Sequence, residues 1–280
     1  MSQLRYSSGS LWLNDHTAVM GILNITPDSF SDGGRYNDTE KAVARALEIQ
    51  REGAEILDIG AQSTRPGHIP VSAQEEWDRL EPVLRALQGR IAIPISIDTY
   101  YAEVADRALD QGAEIINDVS GSMENGMPAV VACHGAALVM MHAGAGADDD
   151  HEADALAEVR GYFEAALTLA EKSGLELEQV CLDPGVGFGK SRNGDMELMA
   201  RLPELLEGLP DAAVLVGASR KRVVGACCGN PPFEERLAGT LALHTAAQLG
   251  GARILRVHDV KEAVQAARVT DAVLAARRIG

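Results

Sequence analysis

The sequence predicts an α/β protein: a (β/α)8 TIM barrel with an N-terminal β-hairpin. Three observations carry that prediction. From residue 18 onward, short apolar runs of strand length alternate with helical patterns eight times. The runs are continuous rather than alternating, as expected of strands covered on both faces. Eight such units in ~260 residues are what a closed barrel of parallel strands needs. No domain-sized linker interrupts them, so residues 1–280 read as one domain.

The elements follow in order. Leu4 to Leu13, "LRYSSGSLWL", reads as two short strands around Ser-Ser-Gly-Ser, a hairpin placed before a barrel of about 18–277. The eight strand-like runs are Ala18–Leu23, Glu55–Ile59, Ile93–Ile97, Glu114–Ile116, Ala137–Met141, Val180–Leu182, Ala213–Val216 and Ala252–Val257. Helical spacing marks Thr39–Arg51, Ala73–Leu87, Ala102–Gln111, Ala153–Ser173, Met196–Leu206, Glu234–Leu249 and Val260–Arg277, with a weak pattern near Met127–Cys133. Gly53, Gly112, Gly135, Gly174 and Gly250 follow helices as C-caps do. A doubly wound open sheet is the competing architecture. It usually carries G-x-G-x-x-G after its first strand, where this chain has Thr-Pro-Asp-Ser.

Composition bounds the function. Apolar residues make up 46% of the chain and aromatics only 4%, which gives a close-packed aliphatic core. The net charge of −16 argues against nucleic acid or anionic membranes as partners. Four cysteines without a C-x-x-C pair argue against a zinc knot or a dithiol redox site. No apolar run reaches the ~18 residues of a membrane span, and the N-terminus lacks a secretory pattern. The expectation is a soluble protein of a reducing compartment, hence cytoplasmic.

In such a barrel, function gathers at the C-terminal strand ends. The first run ends in Asn24, and the second carries Asp58 and leads to Thr64 and Arg65. The third ends in Asp98 and Thr99, the fourth in Asn117 and Asp118, the fifth in His142 and the sixth in Asp183. The seventh leads to Ser219, Arg220 and Lys221, and the eighth carries Arg256 and His258. One such residue is a cap or a turn former; eight polar ends around one mouth describe a site. The cations cluster after the last two strands, where barrels of this kind often bind phosphate. Acceptors and amides occupy the other side, as a nitrogen-rich heterocycle requires.

Two segments resemble motifs they do not complete. "PGVGFGKS" at 184–191 has proline where a P-loop has its first glycine, so Lys190 reads as structural or peripheral. "GADDDHEAD" at 146–154 lacks EF-hand spacing and reads as a solvated loop before a helix. Nothing announces a covalent nucleophile. The site reads as one that binds, orients and stabilises charge.

The segments "MGILNITPDSFSDGG", "STRPG", "ISIDT", "IIND", "LDPGVGFGK", "GASRK" and "RVHDV" resemble, in order and spacing, the signature segments of the dihydropteroate synthase family. That resemblance implies a (β/α)8 barrel. It also implies a reaction in which p-aminobenzoate displaces pyrophosphate from 7,8-dihydropterin-6-ylmethyl diphosphate, through a largely dissociative step. By position it assigns Asp98, Asn117, Asp183 and Lys221 to the pterin, and Asp98, Asp183 and Lys221 to catalysis. Asn24 would ligate Mg2+. Thr64, Arg65, Arg256 and His258 would hold the diphosphate, and Phe30 and Pro66 the aminobenzoate ring. On this reading Asn24 ends its strand because it faces a metal and phosphate at the mouth, and the loop after it is long because it closes over substrates, with Phe30 as an apolar wall. The resemblance further implies a homodimer and a target for sulfonamides. Gln62 and Ala61 depart from the family's usual Glu and Gly, and Arg222 stands where many relatives have Ser. Two other readings share the fold: a catalytically silent pterin-binding relative, and a methyltetrahydrofolate-type pterin-binding methyltransferase domain.

Overall fold

A computed structural model describes residues 2–26, 34–62, 70–144 and 154–277, with side chains of the first helix described from residue 38. Strands β1 (Gln3–Tyr6) and β2 (Gly9–Trp12) pair antiparallel as the expected hairpin. Eight parallel strands then close into a barrel: β3 (Ala18–Asn24), β4 (Ile56–Gly60), β5 (Ile95–Asp98), β6 (Ile115–Asp118), β7 (Ala137–Met141), β8 (Val180–Asp183), β9 (Ala213–Val216) and β10 (Ile254–Val257). Strand β10 closes the ring by pairing with both β9 and β3. No described helix is long and apolar enough to cross a membrane.

The helices are α1 (Gly34–Glu52), α2 (Ala73–Leu87), α3 (Ala102–Asp110), α4 (Met127–Cys133), α5 (Ala155–Lys172), α6 (Arg192–Ala200), α7 (Leu202–Leu206), α8 (Arg222–Cys227), α9 (Leu237–Leu249) and α10 (Val260–Arg277). Two begin earlier than the sequence pattern, α1 at Gly34 and α6 at Arg192, and three further differences have a local cause or marker. The single helix expected over 196–206 is broken at Arg201, because Pro203 has no N–H to continue the ladder and begins α7 instead. Residues 233–235 form a 3-10 turn ahead of α9, and α8 is a short helix that periodicity did not single out. Gly53, Gly112, Gly135 and Gly174 do take the left-handed conformation of a C-cap. After α9 it is Gly251, at φ +113°, that takes it, and Gly250 stays right-handed.

Alternation along each strand sorts the side chains into two bodies. Outward-facing Val19, Leu23, Leu57, Ile59, Ile97, Ile116, Leu138 and Leu255 join the helices in one large aliphatic shell. Inward-facing Met20, Ile56, Ile115, Val139, Cys181, Leu215 and Ile254 fill the lower barrel. Leu4 and Leu13 of the hairpin segment belong to this second body and are fully buried, so the hairpin seals the floor. Gly21 on β3 marks a close helix approach: a Cβ there would lie 2.5 Å from Ile49 Cγ2.

A sealed floor makes the hairpin part of the core. Leu13→Ala is expected to cost about 2–5 kcal/mol in urea unfolding, as other buried leucines do. A loss under about 1 kcal/mol, the level of a surface change, would reduce the hairpin to an appendage.

Candidate active site at the barrel mouth

Strand register brings three predicted positions, Asn24, Asp98 and Asn117, into one row with Gly60. Asn24 pairs with Gly60, Gly60 with Asp98, and Asp98 with Asn117. Gly60 is the gap in that row. A Cβ there would sit 3.6 Å from Asn24 Oδ1 and 3.7 Å from Asp98 Oδ2, so a longer side chain would fill the space between them. Asn117 is buried, and its Oδ1 has no partner among the described residues.

Below this row lies a buried ion set. Arg256 Nε donates to Asp58 Oδ2 at 2.6 Å, and Nη2 to Asp98 Oδ2 at 2.5 Å. Ser96 Oγ donates to the other Asp58 oxygen at 2.7 Å, and Asn117 Nδ2 reaches Oδ2 at 3.4 Å. Asp58 is fully enclosed. Burial opposes the charge on Arg256, but Asp58 and Asp98 outweigh it and hold the guanidinium pKa above its ordinary value. Burial pushes the Asp98 carboxyl upward; Arg256 pulls it down, and Asp58 pushes it up again.

Across the mouth, Asp183 Oδ1 accepts from Gly185 N at 2.7 Å. Burial raises the Asp183 carboxyl, with Lys221 acting against it. Lys221 donates to Val186 O at 2.5 Å and lies 4.2 Å from the centre of the Phe188 ring. Burial lowers its ammonium to about 8, with Asp183 opposing that shift and Arg256 adding to it. Gly187, at φ +81°, leaves room for this chain: a Cβ there would lie 2.9 Å from Lys221 Cδ. Lys190 spends its ammonium on backbone carbonyls. It donates to Gly185 O at 2.9 Å and Phe188 O at 3.2 Å, and reaches His142 O at 3.4 Å, a staple that ties its own loop to the end of β7.

The cationic sector after β9 and β10 is largely paired internally. Arg220 forms a two-pronged ion pair with Asp259, with Nε donating at 2.9 Å. His258 Nδ1 lies 3.0 Å from Ser219 Oγ. Phe30, Thr64, Arg65 and Pro66 lie outside the described residues. Two cavities lie away from the mouth. One, of about 440 Å³, is lined by Ser2 and Arg253 near the floor; the other, of about 670 Å³, lies against α5. Neither gathers the strand-end residues.

Sequence reasoning passed over one buried network. Glu76 on α2 is fully enclosed; its Oε2 accepts from Thr99 Oγ1 at 3.1 Å and Gln62 Nε2 at 3.4 Å, and its Oε1 has no partner among the described residues. A glutamate on an amphipathic helix gives no sign of this without knowing which face is covered. Burial raises its carboxyl to about 7 from 4.5. The unfolded chain therefore ionises first, and folding loses stability as pH rises through that window. The loss comes to roughly 3 kcal/mol, at 1.36 kcal/mol per pKa unit. Between about pH 4 and pH 8, Glu76→Gln should gain on the wild type by that order in urea unfolding. A stability gap that does not change with pH would contradict the raised carboxyl.

The chain matches the pterin binding enzyme family over residues 20–258. It is 44% identical to a dihydropteroate synthase of Synechocystis, covering 92% of this chain and 90% of that one. It is 42% identical to the mitochondrial folate synthesis bifunctional protein of Arabidopsis thaliana, covering 96% of this chain but only 52%, about half, of that longer protein. The Xanthomonas albilineans dihydropteroate synthase solved with 4-aminobenzoic acid superposes with a TM-score of 0.90 at 42% identity, over 98% of both chains. The same enzyme in complex with 7,8-dihydropteroate gives 0.85 at 37% identity, again over 98% of both. With a family match across the barrel, relatives above 40% identity and the same closed fold, the chain belongs to the pterin-binding enzymes and, among them, to the dihydropteroate synthase family.

Proposed function

We propose that the protein is a transferase of folate biosynthesis. In its reaction the amine of p-aminobenzoate displaces pyrophosphate from 7,8-dihydropterin-6-ylmethyl diphosphate, giving 7,8-dihydropteroate. The observation that carries the reading is the acceptor set at the mouth: Asn117 Oδ1 buried without a partner among the described residues, Asp98 beside it in register, and Asp183. A pterin presents ring N–H and amino donors that such acceptors satisfy. A site of this kind rejects analogues lacking those donors by roughly 10⁴-fold. The relative solved with 4-aminobenzoic acid and with dihydropteroate supports the same substrate class.

The residues then take these roles. Asp98, Asn117 and Asp183 orient the pterin ring, and Lys221 borders it beside Asp183. As the methylene C–O bond lengthens, positive charge grows on the pterin, and the Asp183 carboxylate faces it. The C–O bond breaks ahead of C–N bond formation: pyrophosphate leaves with the bonding electrons, and the amine then adds to the methylene carbon and gives up a proton. Arg256 holds Asp58 and Asp98 through Nε and Nη2. Its Nη1 is the nitrogen we assign to the diphosphate, together with His258, Thr64 and Arg65. Phe30 and Pro66 contact the aminobenzoate ring, the position sulfonamides would take.

The donor set fits magnesium bound with its diphosphate. Among the described residues no group of three or more His, Cys, Asp or Glu side chains could hold a metal by itself. Asn24 offers one neutral oxygen at the mouth. Magnesium is usually held by few protein oxygens plus substrate phosphates and water. Bound there, it would offset the charge of the leaving diphosphate.

We further assign the enzyme to the cytoplasm as a homodimer. Four unpaired cysteines suit a reducing compartment. Leu249, Val269 and Val273 give the neighbouring helices α9 and α10 an exposed apolar face that suits a second copy.

Pyrophosphate release that requires both substrates tests the reaction; its absence in the folded protein would favour a silent pterin binder. Asp183→Asn should weaken pterin binding by about 2–3 kcal/mol in calorimetry, the worth of a hydrogen bond to a charged group. Unchanged affinity would remove Asp183 from the site. Lys221→Met should lower turnover by orders of magnitude. Lys190→Met should cost less than tenfold in turnover and show its main effect as lost stability. Equal loss of turnover in the two variants would overturn the staple role of Lys190.

A further inference from the structure

The turn between β9 and α8 is strained at its centre. Arg220 has φ +56°, one of only two left-handed non-glycine residues among those described. L-residues other than glycine avoid this conformation because Cβ crowds the carbonyl oxygen, and it persists only where the surroundings impose it. Lys221 is the next residue.

Three side chains from one stripe of α9 impose it. Arg236, at the N-cap of the helix, donates from Nη1 to Arg220 O at 3.1 Å and from Nε to Pro231 O at 3.0 Å. Thr240 Oγ1 accepts from Arg220 N at 2.9 Å. His244 Nε2 accepts from Ala218 N at 3.1 Å. The spacing i, i+4, i+8 puts all three on one face of the helix. Thr240 and His244 are almost fully buried. His244 is held neutral, lowered to about 4 by burial and by Lys221, so the ring nitrogen that accepts from Ala218 keeps its lone pair. Two glycines let the stripe reach the turn. A Cβ on Gly225 would lie 2.8 Å from Arg236 Cζ, and one on Gly239 would lie 2.6 Å from Val224 Cγ1.

We propose that Arg236, Thr240 and His244 are positioning residues: they clamp the strained 218–220 turn and thereby set the direction in which Lys221 enters the site. The inference rests on the role given to Lys221 above. None of the three touches the mouth. Their effect on the reaction passes through the backbone that carries Lys221.

A double-mutant cycle tests this, because residues that act through one another are not additive. Steady-state kinetics of pyrophosphate release are measured below the thermal midpoint of every variant. Thr240→Val keeps the shape and removes the acceptor, and should lower kcat/KM at least tenfold. Thr240→Ser keeps the hydroxyl and should stay within threefold of wild type. In the Lys221→Met background, Thr240→Val should cost less than twofold further. Thr240→Ala replaces Thr240→Val if the latter does not fold. An undiminished kcat/KM in Thr240→Val, beside a crippled Lys221→Met, would overturn the clamp alone. A full tenfold loss repeated in the Lys221→Met background would also overturn it, as damage that does not act through Lys221. If Lys221→Met itself kept its turnover, the role of Lys221 would fail, and the clamp with it.

Discussion

The upper barrel depends on the guanidinium of Arg256. It is the group that lets Asp58 and Asp98 share the interior of a closed sheet. Two carboxylates in such a space repel, and each has given up hydration worth several kcal/mol. Ser96 and Asn117 add donors to Asp58, so its lone pairs are met from three sides. Stability does not explain why the set is there, since replacing buried ion pairs by well-packed apolar residues is often neutral or stabilising. What the set does provide is direction. With Arg256 drawn onto Asp58 and Asp98, the carboxylate of Asp98 and the amide oxygen of Asn117 are held at fixed places in the strand-end row.

The rest of the barrel follows from where that polarity stops. Below Asp58 and Ser96 the interior turns aliphatic within one layer, through Met20, Ile56, Ile115 and Leu215 down to Leu4 and Leu13. A hairpin that seals the floor leaves one open end. Outside, the shell of aliphatic side chains packs the helices against the strands, so neither face of the sheet takes water. The charge at the mouth is therefore screened from below and from the side, which strengthens each of its electrostatic contacts.

The barrel was legible in the sequence because strand runs and helical spacing repeat eight times, and a repeated signal survives errors at single boundaries. The strand-end positions Asn24, Asp98, Asn117 and Asp183 were legible for the same reason: each stands where an apolar run gives way to a polar residue. Pairings were not legible. Asp58 and Arg256 are 198 residues apart, and Arg220 and Asp259 are 39 apart; nothing local in either sequence stretch marks a partner. A cation cluster after the last strands thus looked freer than it is, with Arg220 on Asp259 and Arg256 on two carboxylates. The Gly251 cap escaped because Gly250 precedes it, and a glycine pair does not say which member turns left-handed. Pro203 was a weak sign of the break, since proline inside a helical pattern can end it or be carried through, as Pro82 is within α2.

The segment that imitates a phosphate loop shows how a similar string serves a different end. A phosphate-binding loop keeps its backbone N–H groups and its lysine for the ligand. Here Gly185 N is taken by Asp183 and Gly187 N by Asp195, while Lys190 turns back onto three carbonyls of the same region. What the loop presents instead is a carbonyl, Val186 O, and the face of Phe188, and both are occupied by Lys221. Cation and ring at that separation attract, more so where water is scarce. Lys221 is thus fixed at two ends: its ammonium by the loop after β8, and its backbone by the stripe of α9. A four-carbon side chain held only at its base would sweep a wide volume. Held at both ends, it keeps its ammonium, whose pKa burial lowers to about 8, at a fixed place at the mouth.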